Sequence, residues 1–417
     1  MRLCNVDRAQ ELMARDQIDG LIASDPINQY YLSNYWGLFN TAGGYHGSYI
    51  SLLPAKELDA ASLIIPALEL RRLETTDGTW MPCIYPYFTD ADGELEAFAD
   101  STPKGQAYSG WQPAVEVAAD EMTELENRWV SIVNRLGAQV SPDAFWGLSR
   151  AIKNAGLEKA TLAVDDPRMI EWLIDYPLEN LTLVHKPQLF NEIRMVKTAD
   201  EITLMTKAAS LNEHALITAA KGMREGMTWE EVESLYMVDI ASNGGRGVYL
   251  MCGLGELPAG TVRRDEPIFM DALGQYQHYH GDFGRCVVVG EPSEKHKRYH
   301  QAICAGWDRA QELIKPGADC SEVSRHVAEA VRKAGIRDFR EPIVHSVGLE
   351  HTDEPKPYGV MPQTKHEQTL QENMVINVDL PHSEIGWGSV HMEDTVVITT
   401  NGFERLTKAP LDLIIAD

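Results

Sequence analysis

The segment 268–289, IFMDALGQYQHYHGDFGRCVVV, decides both the fold and the site of this 417-residue chain. It contains two apolar runs that carry the aspartates Asp271 and Asp282, separated by polar and aromatic residues. This pattern predicts two paired β-strands. Burying an unpaired carboxylate costs several kcal/mol, so two aspartates facing each other across a hairpin repel unless a cation lies between them.

A second strand pair carries the same kind of residues. One apolar run ends in Asp379, and the run 390–398 contains Glu393. Between the two pairs, His345 ends a short apolar run. Four strand carboxylates and one imidazole are ligands that suit divalent manganese, cobalt, iron or zinc. Each residue taken singly is more typical of a turn, an ion pair or a packed side chain, so the residues alone leave a metal site and a structural role open.

An internal repeat links the two halves of this region. Residues 224–232 and 315–323 share a basic residue, a turn glycine, a helix-capping residue, a glutamate and a valine in register. Each copy follows a long helical pattern and precedes one of the strand pairs. Shared turn chemistry explains part of such a match, because helix starts require these residues. A duplicated half-domain with pseudo-twofold symmetry is the simpler interpretation.

The first part of the chain has a different organisation. Short apolar runs predict strands at 20–23, 62–65 and 160–164, and apolar spacing over 122–136 predicts a helix. Alternating strands and helices are typical of an α/β domain. We place the boundary after residue 187, just before a helix whose capping box is Thr198-x-x-Glu201. The predicted domains are therefore 1–187 and 188–417.

Composition restricts the partners and the location. The chain has 62 acidic against 37 basic residues, a formal net charge of −25. Such a charge repels phosphate backbones and anionic lipid, so we expect neither nucleic acid nor a membrane as partner. No apolar run resembles a signal or a membrane span, and the six cysteines form no Cys-x-x-Cys pair. We therefore expect a cytoplasmic protein with reduced thiols.

Residues 188–417 resemble the pita-bread fold shared by methionine aminopeptidase, prolidase, Xaa-Pro aminopeptidase and creatinase. The match rests on Asp271 and Asp282 with an arginine three residues later, a His-x-x-Gly-Leu run at His345, and a Glu-Asp-Thr strand at Glu393. Residues 21–33 resemble the start of the smaller domain that precedes it in prolidases and creatinase. The resemblance implies an α+β chain: a pita-bread domain with pseudo-twofold symmetry, preceded by a smaller α/β creatinase-like domain.

The resemblance also implies a metal centre. In it, one or two divalent ions (Mn, Co, Fe or Zn) are bound by Asp271, Asp282, His345, Asp379 and Glu393. Asp379 is in addition the carboxylate best placed as general base.

Further catalytic and substrate-binding residues follow from the same resemblance. His351 is the predicted proton donor to the leaving group. His391 is predicted to contact substrate or shuttle a proton, with packing behind the ligands as the alternative. His278 and Tyr279 are predicted to contact substrate.

The N-terminal stretch 30–46 is crowded with aromatic residues, among them Trp36. Such density is most typical of core packing. In prolidase-like dimers, however, this region reaches the active site of a neighbouring subunit. The resemblance therefore implies a homodimer in which Trp36 lines a substrate site.

The function that we predict is a metal-dependent hydrolase that cleaves a C–N bond in an Xaa-Pro-like dipeptide or small amide by a metal-activated water. Departures from the peptidases leave alternatives open; among them, Asp379 replaces a glutamate, His391 replaces an arginine, and 252–270 lacks a substrate-binding histidine. The altered peptide-contact residues favour a creatinase-like hydrolase or lyase acting on a small zwitterion such as creatine, ectoine or dimethylsulfoniopropionate, whereas the near-complete ligand set favours the peptidases. A non-catalytic binding module with the same fold is the third interpretation.

Overall fold

The computed structural model describes the whole chain except residues 44–45, 75–77, 89–115, 119, 138, 177, 179, 255–259, 341–342, 355–368 and 417. The chain divides into two compact units, Met1–Ile193 and Arg194–Asp417. The division falls within the helix Pro187–Met195, which begins at the boundary proposed from the sequence. Tyr45 of the aromatic stretch lies outside the described residues.

The N-terminal unit is built on a six-stranded mixed sheet. Its strands are β1 Gly20–Ala23, β2 Ile50–Pro54, β3 Ser62–Pro66, β4 Cys83–Tyr87, β5 Thr161–Val164 and β6 Thr182–His185. They are arranged in the order β4-β3-β2-β1-β5-β6, with β1 antiparallel to β2 and parallel to β5. The three strands predicted in this region are confirmed as β1, β3 and β5, all of them largely buried.

Helices flank this sheet. They are α1 Val6–Asp16, α2 Pro26–Ser33, α3 Leu38–Gly43, α4 Glu124–Gly137, α5 Ala144–Asn154, α6 Arg168–Trp172 and α7 Pro187–Met195, with short 3₁₀ turns at Leu58–Ala60, Ala67–Glu69 and Arg72–Glu74. Side chains satisfy the free amides at several helix starts; Asp25 accepts from two amides of α2, whose first residue is a proline. The helix predicted over 122–136 is confirmed as α4.

The C-terminal unit contains the helices α8 Ala199–Gly222, α9 Trp229–Ser242, α10 Glu294–Leu313 and α11 Cys320–Ala334. Its main strands are β7 Arg246–Leu254, β8 Ile268–Tyr276, β9 Tyr279–Val289, β10 Ile343–Ser346, β11 Val375–Asp379 and β14 Met392–Thr399, in the order β10-β11-β14-β9-β8-β7. Edge pieces are β15 Gly402–Arg405 on β14 and β16 Ile414–Ala416 on β9, and β12 His382–Glu384 pairs with β13 Gly388–Val390. No helix in the described part of the chain is long and apolar enough to cross a bilayer.

One face of this sheet packs on the helices, and the opposite face carries the polar side chains. On β9, Phe283 and Val287 belong to the apolar core formed with α8 and α9, whereas Asp282 and Gly284 point the other way. Because side chains alternate along a strand, every second side chain of each strand points to the face away from the helices. The aspartates therefore interrupt apolar runs without entering the helix-facing core.

The internal repeat corresponds to structurally equivalent turns. Gly226 and Gly317 both have φ of 87°, a left-handed conformation that glycine adopts without strain. The amide of Gly226 donates to Val262 (2.8 Å), and that of Gly317 donates to Leu370 (2.9 Å). Each turn leads into the next helix, α9 or α11, through a capping side chain. These matched contacts agree with the predicted pseudo-twofold symmetry of the pita-bread domain.

Candidate metal centre

Strand register explains how residues far apart in sequence come together. Asp271 on β8 pairs with Gly284 on β9, Gly284 pairs with Glu393 on β14, and Glu393 pairs with Asp379 on β11. These four positions form one row across adjacent strands. Asp282 lies two residues from Gly284 on β9, and His345 lies two residues from the β10 residue that pairs with Asp379. Because side chains alternate along a strand, both belong to the next row on the same face.

The first group of donor atoms surrounds Asp282. Its Oδ2 lies 3.9 Å from His345 Nε2 and 3.2 Å from His351 Nε2. His345 Nε2 also lies 3.5 Å from Oε1 of Glu393. One donor atom each from Asp282, His345 and His351 lie within 4.8 Å of one another.

The second group surrounds His391. Its Nε2 lies 2.6 Å from Oδ1 of Asp379 and 3.9 Å from Oε2 of Glu393. One donor atom each from Asp271, His391 and Glu393 lie within 4.8 Å of one another. Glu393 thus joins the two groups, with one oxygen facing each histidine. The structure brings together all five residues predicted as metal ligands, and adds His351 and His391 beside them.

Two buried carboxylate oxygens without hydrogen-bond partners indicate that this group of donors fits a divalent ion. Oδ1 of Asp271 and Oδ1 of Asp282 are buried without any hydrogen-bond partner among the described residues. In the same part of the chain, no lysine or arginine lies within ion-pair distance of the four carboxylates, and histidine nitrogens lie within that distance of Asp282, Asp379 and Glu393. Buried carboxylates without compensation cost several kcal/mol each, and a cation bound between them removes that cost.

The crowding of carboxylates also shifts the pKa values of the groups in the metal-free pocket. Burial, then the charges of Glu393 and Asp282, raises the pKa of Asp271 well above its ordinary value. Burial and the charges of Asp282 and Asp379 likewise raise the pKa of Glu393. Burial lowers the pKa of His391, but the charge and hydrogen bond of Asp379 outweigh it, so the net shift is upward. Without a metal, the pocket therefore binds protons in place of a cation.

We expect metal-free Asp271→Asn protein to be more stable than metal-free wild type at about pH 8, and this difference to shrink toward about pH 4. Folded Asp271 keeps its proton at pH values where the unfolded carboxyl has lost it, because its folded pKa is raised. Wild-type stability therefore falls as pH rises above the unfolded pKa, and asparagine has no such dependence. Urea unfolding in chelator across this pH range measures it; a pH-independent difference would contradict the expectation.

Buried ion pairs and a backbone hydrogen bond stabilise the loop that carries His351. Asp353 is 1% exposed and forms ion pairs with Arg194 (3.1 Å) and Lys197 (3.4 Å). These two cations outweigh the effect of burial and lower the pKa of Asp353 to about 2. On the other side of the loop, the amide of His280 donates to the carbonyl of Gly348 (2.9 Å). These contacts place the half-exposed His351 ring beside Asp282.

Two predicted substrate-binding residues lie elsewhere on the hairpin. Tyr279 is fully buried, and its hydroxyl donates to Glu201 at the start of α8 (3.0 Å). It faces the helices because it is an odd number of residues from Asp282. His278 occupies the turn between β8 and β9 with φ of 69°, at the end of the hairpin away from the carboxylates. The structure therefore does not bring Tyr279 or His278 to the metal-ligand group.

Trp36 belongs to the N-terminal unit and is half-buried there. Its ring packs edge-to-face on Tyr30, with centroids 5.6 Å apart, and its indole N–H donates to Thr41 (3.0 Å). These contacts account for its position within this unit. The predicted role of Trp36 at a substrate site stays a prediction.

Four residues of the site were missed from the sequence: Tyr249, Phe269, His280 and Asn377. The ring of Tyr249 packs edge-to-face on His351 (centroids 6.2 Å apart), and that of Phe269 lies 4.6 Å from His391. Asn377 donates to Oε1 of Glu393 (2.8 Å). Phe269, His280 and Asn377 each lie two residues from a predicted ligand, so strand alternation was the signal that could have found them.

The chain matches two protein-family models. Residues 5–196 match the Creatinase/Prolidase N-terminal domain, and residues 203–400 match Metallopeptidase family M24. An Xaa-Pro dipeptidase from Pyrococcus furiosus is 30% identical over 238 residues, which cover 54% of this chain and 67% of that protein. An uncharacterised peptidase from Bacillus subtilis is 24% identical, covering 71% of this chain and 84% of that protein.

Solved structures share the fold. The prolidase from Pyrococcus horikoshii has a TM-score of 0.65 at 21% identity, covering 97% of this chain and 98% of that one. The X-Pro aminopeptidase from Thermotoga maritima has a TM-score of 0.68 at 20% identity, covering 98% and 100%. At such identities these likenesses establish the fold, a creatinase-like domain followed by a pita-bread domain. The family-model match over residues 203–400 and the 30% identical Xaa-Pro dipeptidase show that the chain belongs to metallopeptidase family M24.

Proposed function

We propose that this protein is a dipeptidase that hydrolyses the amide bond of an Xaa-Pro-like dipeptide. As a member of family M24 it is a metal-dependent hydrolase, and its curated relatives include proteins named Xaa-Pro dipeptidase. The observation that carries the proposal is that Asp271 and Asp282 each have a buried oxygen without a hydrogen-bond partner among the described residues, and that each side chain belongs to a group of carboxylate and imidazole donors.

The residues that would hold one or two divalent ions are Asp271, Asp282, His345, Asp379 and Glu393. Their carboxylate and imidazole donors suit Mn, Co, Fe or Zn. When bound, such an ion supplies Lewis acidity and lowers the pKa of a bound water toward neutrality. Asn377 holds Glu393 in place through its 2.8 Å hydrogen bond.

Asp379 is the carboxylate that we assign as general base. Its side chain is 14% exposed, against 2% for the side chains of Asp282 and Glu393, so it is the most accessible of these three acids to water. Its Oδ1 lies 2.6 Å from Nε2 of the buried His391, so the ring limits the orientations that the carboxylate can adopt. A carboxylate that is oriented from one side and exposed on another accepts a proton from an attacking water.

His351 is the group that we assign as proton donor to the leaving amine. Its side chain is 43% exposed, and the ring is held between Asp282 and Tyr249. Imidazole exchanges protons near neutral pH, which suits transfer to a leaving nitrogen. The exposure leaves the ring accessible to a substrate that enters from solvent.

His351→Asn is expected to lower kcat about 10²-fold, because a positioned acid contributes at least this factor to amide cleavage. Metal content should stay unchanged, since Asp282 keeps His345 as its other imidazole neighbour. His214→Asn, at an exposed histidine on α8, is the control and should retain full activity. An unchanged kcat for His351→Asn would refute the assignment.

We further propose that the enzyme is a cytoplasmic homodimer in which the partner subunit's Trp36 lines the substrate site. The half-buried ring in an aromatic N-terminal stretch and the prolidase-like fold of the whole chain support this. The formal net charge of −25 supports the absence of nucleic-acid and membrane partners.

Trp36→Ala is therefore expected to raise KM several-fold while thermal stability changes little, since the ring is only half-buried in its own unit. Steady-state kinetics and thermal unfolding of the same preparations measure both effects. An unchanged KM, or a monomeric enzyme with full activity, would remove Trp36 from the site.

The proposed activity is tested by assaying the purified protein, reconstituted separately with Mn²⁺, Co²⁺, Fe²⁺ and Zn²⁺, on Xaa-Pro dipeptides and matched Xaa-Ala dipeptides. We expect hydrolysis of the proline dipeptides that is abolished by chelators and restored by metal. Creatine, ectoine and dimethylsulfoniopropionate are assayed in parallel. Turnover of one of these without any dipeptide hydrolysis, or full activity in metal-free protein, would overturn the proposal.

A further inference from the structure

We propose that His391 is itself a metal ligand, so that the centre has two histidine ligands, His345 and His391. The inference rests on the proposed metal-dependent function and assigns a donor beyond the five residues named above. His391 stands where the peptidases that this chain resembles have an arginine, which cannot serve as a ligand because it stays protonated. The change would therefore alter the chemistry of the centre itself.

The hydrogen bonding of the ring presents one nitrogen to the carboxylates. His391 Nδ1 lies 3.1 Å from the carbonyl oxygen of Met270. A carbonyl only accepts, so Nδ1 carries the hydrogen, and Nε2 is the nitrogen turned toward Asp379 and Glu393. His345 has the same arrangement, with Nδ1 3.1 Å from the carbonyl of Ser346 and Nε2 facing Glu393. A backbone carbonyl on the second nitrogen is typical of metal-binding histidines.

The distances suit a shared ion. Two ligand atoms bound to one ion at about 2.0–2.2 Å are separated by no more than about 4.3 Å. His391 Nε2 lies 3.9 Å from Glu393 Oε2, within that limit, and the same distance separates His345 Nε2 from Asp282 Oδ2. His391 Nε2 and Asp379 Oδ1 are 2.6 Å apart and share a hydrogen in this structure. A cation bound among these atoms would take the place of that hydrogen.

The ring is held in this position by its surroundings. A Cβ added to Gly284 would lie 2.0 Å from His391 Cε1, so the ring fills the space that this glycine leaves in the row between Asp271 and Glu393. Phe269 packs against the ring at 4.6 Å between centroids. An imidazole fixed in this way loses little conformational freedom when it binds a metal.

Burial separates a ligand role from substrate contact and from proton exchange with solvent. The His391 side chain is 1% exposed, whereas that of His351 is 43% exposed. A residue that contacts substrate or exchanges protons with solvent needs access that His391 lacks. A second imidazole also favours metals that accept nitrogen donors, so Zn²⁺ and Co²⁺ should bind in preference to Mn²⁺.

His391→Asn tests the assignment through metal binding alone. Metal-free protein is titrated calorimetrically with Zn²⁺ and with Mn²⁺, and retained metal is counted by elemental analysis after dialysis. We expect the Zn²⁺ affinity of one site to fall by more than about 100-fold, because residues behind the ligands have effects of about 10–100-fold. A fall of only about 10-fold would make His391 a residue behind the ligands and overturn the assignment. The Mn²⁺ affinity should fall less. His296→Asn, at another fully buried histidine, is the matched control and should bind as wild type does.

Wild-type protein provides a second measurement that needs no variant. X-ray absorption of the zinc-loaded enzyme counts the imidazole ligands of zinc. We expect the spectrum to show two of them, His345 and His391. Equal Zn²⁺ affinity and stoichiometry in wild type and His391→Asn would overturn this assignment while leaving the proposed function intact. Wild-type protein that binds none of these metals would overturn both.

Discussion

Replacing Asp282 with asparagine is expected to lower kcat/KM at least about 10³-fold and to remove bound metal, because a metal centre contributes several kcal/mol to transition-state stabilisation. Asp282 is 1% exposed, and its Oδ1 has no partner among the described residues. Its Oδ2 faces both His345 and His351. Asparagine keeps the shape and removes the charge, so the loss reports on ligation rather than on packing.

Measurements on the folded variant distinguish this cause from unfolding. Metal-free Asp282→Asn protein should unfold at a temperature no lower than metal-free wild type, because one negative charge has left a crowded acidic pocket. Asp308→Asn, at an exposed aspartate on α10, is the matched control and should keep its metal and activity. Wild-type metal content in Asp282→Asn would show that this carboxylate is no ligand.

Removal of Asp394 is expected to cause the largest loss of stability, about 3–5 kcal/mol, since it leaves a buried charge without its partner. Asp394 is fully buried and accepts hydrogen bonds from Arg285 on both oxygens (2.9 and 3.1 Å) and from Arg405 (3.0 Å). Arg285 is also fully buried and donates to the carbonyl of Glu393 (2.9 Å). The pair therefore supports the strand that carries a metal ligand.

The measurement is urea unfolding of metal-free Asp394→Ala protein against Glu329→Ala. The control breaks an exposed pair with Arg325, in which both side chains are 51% exposed, and should cost about 0.5 kcal/mol or less. The double variant Arg285→Met/Asp394→Leu should cost less than the sum of its single changes, because neither charge is then left unpaired. A cost for Asp394→Ala as small as that of the surface control would contradict this account.

Much of the fold followed from local sequence rules. The capping box at Thr198 begins α8 with both of its hydrogen bonds present, and the strands predicted in the N-terminal region formed at the expected places. The repeat at Gly226 and Gly317 correctly indicated two equivalent turns. These features depend on residues within a few positions of one another, so a single sequence contains the information for them.

The orientation of side chains was harder to predict from the sequence. Alternation along β9 directs Tyr279 and Asp282 to opposite faces of the sheet, although the resemblance implied a role at the site for both. The position of His351 depends on buried ion pairs between Asp353 and the distant residues Arg194 and Lys197. Pairings of such sequence separation have no local signature. The space that Gly284 leaves for His391 likewise became apparent only from strand register.

We propose that Asp271, Asp282, His345, Asp379 and Glu393 form one cation-binding centre. Anomalous diffraction from crystals of the zinc-loaded protein, collected on both sides of the zinc edge, tests it most directly. We predict one or two strong anomalous peaks within bonding distance of these side chains. Anomalous peaks bound only to other residues, or none in zinc-loaded crystals, would contradict the account.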